Sequence, residues 1–89
     1  MRFSFSANAW SEYLSWQGED KRTLKRINDL LQDIARGGYQ GIGKPEPLRG
    51  DLSGFWSRRI DAQHRLVYRL TEADGDGVCE IIQCRGHYQ

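Results

Sequence analysis

The chain has 89 residues and a formal net charge of +1, which is enough for one small domain and gives no overall charge that would select a nucleic-acid or membrane partner. No stretch approaches the roughly 20 consecutive apolar residues that cross a bilayer. The first six residues lack the apolar segment of an export signal. These features predict a single cytoplasmic domain over residues 1–89 with no membrane partner.

The chain begins with a predicted strand and a predicted helix. Phe3 and Phe5 alternate with polar residues, as in a half-buried strand. Ser6 is a suitable N-cap for a helix over residues 7–17. The expected apolar face of this helix has residues at i, i+3 and i+4: Trp10, Tyr13 and Leu14.

A second helix is predicted directly after the first. Gly18 is expected to interrupt the first helix, and Glu19 and Asp20 complement the dipole at the start of the second. Gly37-Gly38 ends it. Its apolar stripe consists of Leu24, Ile27, Leu30, Leu31 and Ile34. The two helices are therefore expected to form an αα-hairpin.

The second half of the chain predicts a loop followed by strands. Residues 39–47 are rich in Gly and Pro, as in a loop. Residues 55–61 and 65–70 flank a short polar turn, as in an antiparallel hairpin. A turn of the Asp-Gly type over residues 72–77 leads to a mostly apolar strand over residues 78–85, which is expected to be central.

This order of elements predicts an α+β fold with the two N-terminal helices packed on one face of an antiparallel sheet. Arg65 lies on the strand face opposite Leu66 and Tyr68, because side chains alternate along a strand. The face of the sheet without helices is therefore expected to present Arg65, together with the loop that contains Glu46.

Cys79 and Cys84 are five residues apart on the last predicted strand. This odd spacing would direct them to opposite faces, and about 17 Å of strand would separate them, which is beyond disulfide reach. We expect two reduced, packed thiols. Two cysteines and two histidines in this arrangement do not form a zinc pattern, and we predict no metal and no cofactor.

Basic residues are concentrated between residues 44 and 69. This segment contains six Lys or Arg residues and three acids, and such a local surplus attracts phosphate groups without a basic overall charge. An ordinary salt-bridged surface is the alternative. The basic residues are Lys44, Arg49, Arg58, Arg59, Arg65 and Arg69.

Glu46 lies between Pro45 and Pro47. The two prolines restrict the backbone on both sides, so the carboxylate is presented from a stiffened loop, and fixed placement is what a general base requires. The alternative is a solvated loop glutamate beside turn prolines.

Arg65 is a candidate for phosphate binding, because a guanidinium directs two donors at a phosphate and stays charged. The alternative is a surface arginine paired with Asp61 or Glu80. Arg49 and Arg59 are candidates of the same kind. The role of Arg58 stays open, because it shares its strand face with Trp56 and Ile60.

His87 and Tyr88 follow the last predicted strand. A histidine takes up or releases a proton near neutral pH, and a tyrosine stacks on a base or donates its hydroxyl. The alternative is a frayed terminus without a role. His64 lies in the predicted hairpin turn and is expected to be structural or solvent-exposed.

Glutamate, arginine and histidine together can cleave RNA by transesterification without a metal.

The chain resembles the YoeB/Txe family of bacterial toxins, within the RelE-like group, almost from end to end. The resemblance is strongest in Gly43-Lys44-Pro45-Glu46-Pro47-Leu48, in residues 52–60 (LSGFWSRRI) and in His64-Arg65-Leu66-Val67-Tyr68, and it returns at Cys84-Arg85 and His87-Tyr88. Earlier matches are Trp10, Tyr13-Leu14, Trp16-Gln17, Asp20-Lys21-Arg22 and Lys25-Arg26-Ile27-Asn28. Matches of this length are far more specific than a short motif.

The resemblance implies a microbial-ribonuclease-like fold and the toxin of a type II toxin–antitoxin pair, which binds the ribosome and cuts mRNA in the A site. It also implies inhibition by a YefM-like antitoxin and pairing of two protomers. By position, Glu46 would be the general base, Arg65 the transition-state cation and His87 the general acid. Tyr88 would orient the nucleotide, and phosphate would be held by Lys44, Arg49 and Arg59.

The chain departs from the family pattern at a few positions. Gly86 stands where the family often has a tyrosine, Gln89 follows the usual terminal tyrosine, and the turn over residues 72–77 is longer. Two other functions stay open. One is a catalytically weak module of the same fold that binds antitoxin and helps repress its operon, and the other is a toxin that attacks gyrase. The intact Glu46, Arg65 and His87 favour the ribonuclease.

Overall fold

The computed structural model describes residues 1–87. Two helices pack on one five-stranded sheet, which confirms the predicted α+β class. The elements are β1 (Arg2–Phe5), α1 (Ala7–Glu19), α2 (Lys21–Gly37), β2 (Glu46–Pro47), a 3₁₀ turn (Gly50–Leu52), β3 (Trp56–Arg59), β4 (Arg65–Ala73) and β5 (Asp76–Gln83). Within residues 1–87, neither helix is long and apolar enough to cross a membrane.

The strand order is β1-β5-β4-β3-β2. The predicted hairpin of β3 and β4 is confirmed, and β5 lies inside the sheet beside the central β4. The sheet is mixed, because β1 runs parallel to β5 while the other pairs are antiparallel. Glu46 and Pro47 were predicted as loop but form a short edge strand on β3. Proline is tolerated there because an edge strand leaves one side unpaired.

The helix boundaries follow their caps. Ser6 Oγ accepts a hydrogen bond from the Ala9 amide at 3.1 Å, which confirms the predicted N-cap. The prediction that Gly18 interrupts α1 is wrong, since α1 continues to Glu19. The break falls at Asp20, whose carboxylate caps α2 by accepting from the amides of residues 22 and 23.

The predicted buried face of α1 is wrong for two of its three residues, and only Tyr13 packs against the core. Trp10 and Leu14 are 47% and 44% exposed, whereas Ala9 and Trp16 are buried. Ala9 adds little bulk, so α1 approaches the sheet closely along the side that contains Ala9 and Trp16. Trp10 is left to stack on Tyr13, with ring centroids 5.8 Å apart.

The core lies between the helices and one face of the sheet. Cys79 and Cys84 are both fully buried in it, so the prediction that they point to opposite faces is wrong. β5 ends at Gln83, and its register with β4 shifts at residues 67 and 68, so strand alternation does not reach Cys84. Both thiols are free, as predicted, and burial raises the pKa of each to about 12. The other core residues include Ile27, Leu30, Ile34, Leu66, Tyr68 and Ile81.

Candidate active site

The sheet face opposite the helices brings several of the predicted site residues into one region. Glu46 is paired with Ser57 across β2 and β3, and Arg59 with Arg65 across β3 and β4. Cross-strand partners share a face, and so do residues two apart along a strand. Glu46, Arg59 and Arg65 therefore lie on the same face, as the alternation predicted for Arg65.

The separation of Glu46 and Arg65 follows from their register. They are two strands apart and offset by two residues along the strand, which places their Cα atoms about 12 Å apart from standard sheet spacings. Both side chains are long enough to shorten that distance.

Arg65 is buried, with a relative exposure of 8%. Its Nη1 donates to the backbone carbonyl oxygens of Asp61, at 2.7 Å, and of His64, at 3.1 Å. The alternative that Arg65 pairs with a carboxylate is wrong within residues 1–87, since Glu80 pairs with Arg69 and no described carboxylate forms an ion pair with Arg65. Carbonyl oxygens fix its orientation without neutralising its charge.

The segment that precedes His87 is attached beside Arg65. The Arg65 amide donates to the Gly86 carbonyl oxygen at 3.0 Å, and the Gln83 side-chain amide donates to the same oxygen at 3.1 Å. The exposed His87 follows directly. The chain is therefore attached as far as Gly86, the role of His87 stays a prediction, and Tyr88 lies outside the described residues.

Helix α1 holds the same segment from the other side. The Trp16 indole N–H donates to the Cys84 carbonyl oxygen at 3.0 Å. The Arg85 guanidinium lies 4.3 Å from the centre of the Trp16 ring and pairs with both carboxylate oxygens of Glu19, at 2.6 and 2.9 Å. This hydrogen-bonded pair holds the pKa of Glu19 below its usual range. The chain is therefore fixed by side chains of α1 over the two residues before Gly86.

The three predicted phosphate-binding residues do not lie at one place on the surface. Lys44 is exposed and adjoins Arg59, because the Arg59 amide donates to the Gly43 carbonyl oxygen at 2.7 Å. Arg49 is also exposed but follows the opposite end of β2, about 10 Å along the chain from Glu46 at strand spacing and on the side away from Arg65. Lys44 and Arg59 thus flank the Glu46–Arg65 region, and Arg49 lies at its margin.

Arg58 is a residue whose role sequence reasoning left open. It is fully buried, and its guanidinium pairs with Asp33 and donates to the carbonyl oxygens of Gly38, Gln40 and Ile42 at 2.8 to 3.0 Å. The Arg58 hydrogen bond lowers the pKa of Asp33. The sequence feature that indicates this burial is the position of Arg58 between Trp56 and Ile60, on the strand face that packs on the core. Arg58 therefore supports, from beneath, the loop that leads to Glu46.

Gly43 shows how closely this loop lies against the core. A Cβ atom there would stand 2.9 Å from the Leu30 side chain, and φ is +80°. Only glycine meets both conditions without strain. The backbone of Lys44 and Glu46 therefore starts from a fixed position.

A metal site is not apparent among residues 1–87, where no three His, Cys, Asp or Glu side chains are grouped to bind an ion. The absence of a cofactor stays a prediction. The arrangement offers a carboxylate and an oriented guanidinium on one face of the sheet, and an imidazole on the residue that follows the attached Gly86. These are the groups that acid–base cleavage of a phosphodiester uses.

The family of the chain is decided by its similarity to known proteins. The model for the "YoeB-like toxin of bacterial type II toxin-antitoxin system" matches residues 5–88. The chain belongs to this family. A curated relative, "Toxin YoeB" of Streptomyces coelicolor, is 52% identical over 88 residues, which cover 99% of this chain and 100% of the relative. A more distant relative, "Endoribonuclease HigB" of Proteus vulgaris, is 34% identical over 62 residues, which cover 64% of this chain and 67% of that protein.

Solved structures of the YoeB family have the same fold. The "YoeB/ParE toxin from Agrobacterium tumefaciens" superposes with a TM-score of 0.93 at 45% identity, over 99% of this chain and 100% of the other. The "YoeB-YefM complex" and the "YoeB dimer" from Staphylococcus aureus each superpose with a TM-score of 0.86, at 42% and 43% identity, over 99% of this chain and 98% of theirs. The resemblance and the fold predicted from the sequence are both confirmed.

Proposed function

We propose that this YoeB-family toxin is an endoribonuclease that cleaves mRNA in the A site of the ribosome. The observation that carries the proposal is the shared sheet face of Glu46 and Arg65, with the segment that leads to His87 bonded to the Arg65 amide. Support also comes from the relative named as an endoribonuclease. The orientation of Arg65 by carbonyl oxygens leaves its positive charge available to a phosphate.

In the proposed reaction, Glu46 removes the proton of a ribose 2′-hydroxyl, and the 2′-oxygen attacks the adjacent phosphorus. Arg65 stabilises the negative charge that develops on the phosphoryl oxygens. His87 donates a proton to the departing 5′-oxygen as its bond to phosphorus breaks. The products are a 2′,3′-cyclic phosphate and a 5′-hydroxyl, with no metal required.

The remaining site residues bind substrate in this proposal. Lys44 and Arg59 contact phosphates next to the cleaved bond, and Arg49 contacts a phosphate further along the strand. Tyr88 orients the nucleotide. Because these contacts are charged, mRNA binding weakens as salt increases.

The proposed protein partner is a YefM-like antitoxin, as in the complex of the Staphylococcus aureus relative. A segment of antitoxin that folds on binding can cover a large surface, and acidic residues in it would be attracted to the basic face around Arg59. A pair of toxin protomers, as in the dimer of that relative, is proposed as the second assembly. The site of action is the cytoplasm, where ribosomes are located.

The test uses purified ribosomes programmed with a defined mRNA. We expect cleavage that depends on the ribosome, and fragments that end in a 2′,3′-cyclic phosphate and begin with a 5′-hydroxyl. EDTA with magnesium in excess scavenges transition metals while the ribosomes stay assembled, and cleavage should persist. Fragments with a 3′-hydroxyl and a 5′-phosphate would contradict the mechanism, and antitoxin binding without cleavage would support the weak binding module instead.

A further inference from the structure

Gly86 is hydrogen-bonded through both its N–H and its carbonyl oxygen, which belong to the two peptide groups that flank it. Its carbonyl oxygen accepts from the amide of Arg65 and from the side chain of Gln83. Its N–H donates to Nδ1 of His64 at 2.7 Å. This residue immediately precedes His87, so the placement of its backbone sets where the His87 side chain begins.

The hydrogen bond from Gly86 defines which ring nitrogen of His64 carries the proton. A backbone N–H can only donate, so Nδ1 must carry no proton and accept. In the neutral ring the proton then lies on Nε2. An imidazole that is protonated on both nitrogens cannot make this bond.

The His64 ring is itself held in place. Its edge packs on Trp16 with ring centroids 4.9 Å apart at 80°. The His64 amide donates to the Asp61 carboxylate at 2.7 Å, and its carbonyl oxygen accepts from the Ile60 amide at 3.0 Å and from the Arg65 guanidinium at 3.1 Å. The acceptor offered to Gly86 is therefore built into the rigid turn between β3 and β4.

The two hydrogen-bonding groups of Gly86 belong to different peptide groups. The bonds to its carbonyl oxygen attach the peptide group between Gly86 and His87 to β4. The bond to His64 fixes the peptide group between Arg85 and Gly86, so the two backbone dihedral angles of Gly86 are held from both sides. The hydrogen bond to His64 is important because glycine itself restricts the backbone little. Gly86 has φ of +84°, in the region that glycine enters freely.

We propose that His64 is a positioning residue, which sets the location of His87 beside Arg65 through the Gly86 N–H. This role rests on the proposed function, in which His87 is the general acid. His64 contacts no substrate in this account. A displacement of about 1 Å in a reacting group costs up to about 10²-fold in rate, which is the scale of effect expected if the bond is lost.

Three variants separate the acceptor from the ring. His64→Asn places an oxygen near the position of Nδ1, His64→Gln places one near Nε2, and His64→Phe keeps a ring against Trp16 with no acceptor. On ribosomes, kcat should fall about 10- to 10²-fold in the Phe and Gln variants with little change in KM. The Asn variant should recover most of the loss. A merely structural role would give losses that follow thermal stability, without selective rescue by Asn.

Nuclear magnetic resonance of the free protein tests the bond without any cleavage assay. We expect a ¹⁵N–¹⁵N coupling across the hydrogen bond between Gly86 and Nδ1 of His64. We also expect slow exchange of the Gly86 amide, which the Phe variant accelerates and the Asn variant preserves. If His87→Ala were fully active while these signals were present, the proposed function would fail and the attachment of the segment would stand.

Three results would overturn the inference. The first is the absence of the coupling together with rapid exchange of the Gly86 amide in the unaltered protein. The second is a Phe variant that folds and cleaves as fast as the unaltered protein, and the third is an Asn variant that loses as much activity as the Phe variant. If the Phe variant does not fold, the inference is still tested by the coupling in the unaltered protein and by the cleavage rates of the Asn and Gln variants.

Discussion

Replacement of Arg58 by methionine tests whether a buried charge holds the loop that presents Glu46. Methionine fills much of the same volume but removes the guanidinium that pairs with Asp33 and binds three carbonyl oxygens of residues 38–42. Each of those acceptors must then find water or stay unsatisfied. The side chain of Asp33, which is 24% exposed, loses its cation.

The expected loss is large for a domain of this size. A buried acceptor left without its donor costs about 1–3 kcal/mol, and Arg58 serves three such carbonyl oxygens, so we expect a loss of about 3 kcal/mol. At roughly 0.05–0.15 kcal/mol per residue, a chain of 89 residues has a total stability of about 4–13 kcal/mol. Arg58→Met should therefore lose about a fifth or more of the stability of the domain.

Urea unfolding followed by tryptophan fluorescence measures the effect. Arg59→Met is the matched control, because Arg59 is the next residue on the same strand and is exposed, and such surface changes stay within about 0.5 kcal/mol. Asp33→Asn should cost less in the Arg58→Met background than alone, since the two residues are coupled. A loss below about 1 kcal/mol for Arg58→Met, in the ordinary range for a point substitution, would refute the reasoning.

The remaining predictions concern catalysis, acid stability and inhibition. Cleavage on ribosomes should slow by about 10²-fold or more, with melting nearly unchanged, in each of Glu46→Ala, Arg65→Ala and His87→Ala; full activity of His87→Ala would remove the general acid from the mechanism. Lys44→Ala should weaken mRNA binding and flatten its salt dependence, as measured by KM at several salt concentrations. The hydrogen bond from Arg58 lowers the pKa of Asp33 in the folded state. The contribution of Asp33 to the free energy of unfolding is therefore present above its unfolded pKa of about 3.9 and is lost as pH falls through the folded pKa. Urea unfolding midpoints measured below pH 5 should fall less steeply with pH in Asp33→Asn than in the unaltered protein. A YefM-like antitoxin should raise the melting temperature and slow amide exchange in residues 44–49, and a complex with full activity and unchanged exchange there would argue against inhibition at this face.

The local pattern of the sequence was enough to predict both helices, four of the five strands and the face of Arg65. Alternation in β4 separates Arg65 from Leu66 and Tyr68, and this depends only on the two-residue period of a strand. The cap at Ser6 is likewise a local interaction between a hydroxyl and an amide three residues away. Such features survive in any tertiary arrangement, so the sequence alone predicts them.

Tertiary packing decided what depends on residues far apart in the chain. The rotation of α1 that buries Trp16 instead of Trp10 depends on how closely Ala9 lets the helix approach the sheet. The pairing of Glu46 with Ser57, the burial of Arg58 among carbonyl oxygens and the contact of Gly86 with His64 join residues separated by 11 to 22 positions. A polar side chain becomes a buried anchor only where folding brings it the partners that offset its desolvation. The pattern of residues along the chain predicts which groups are present, and only the folded structure decides which of them meet.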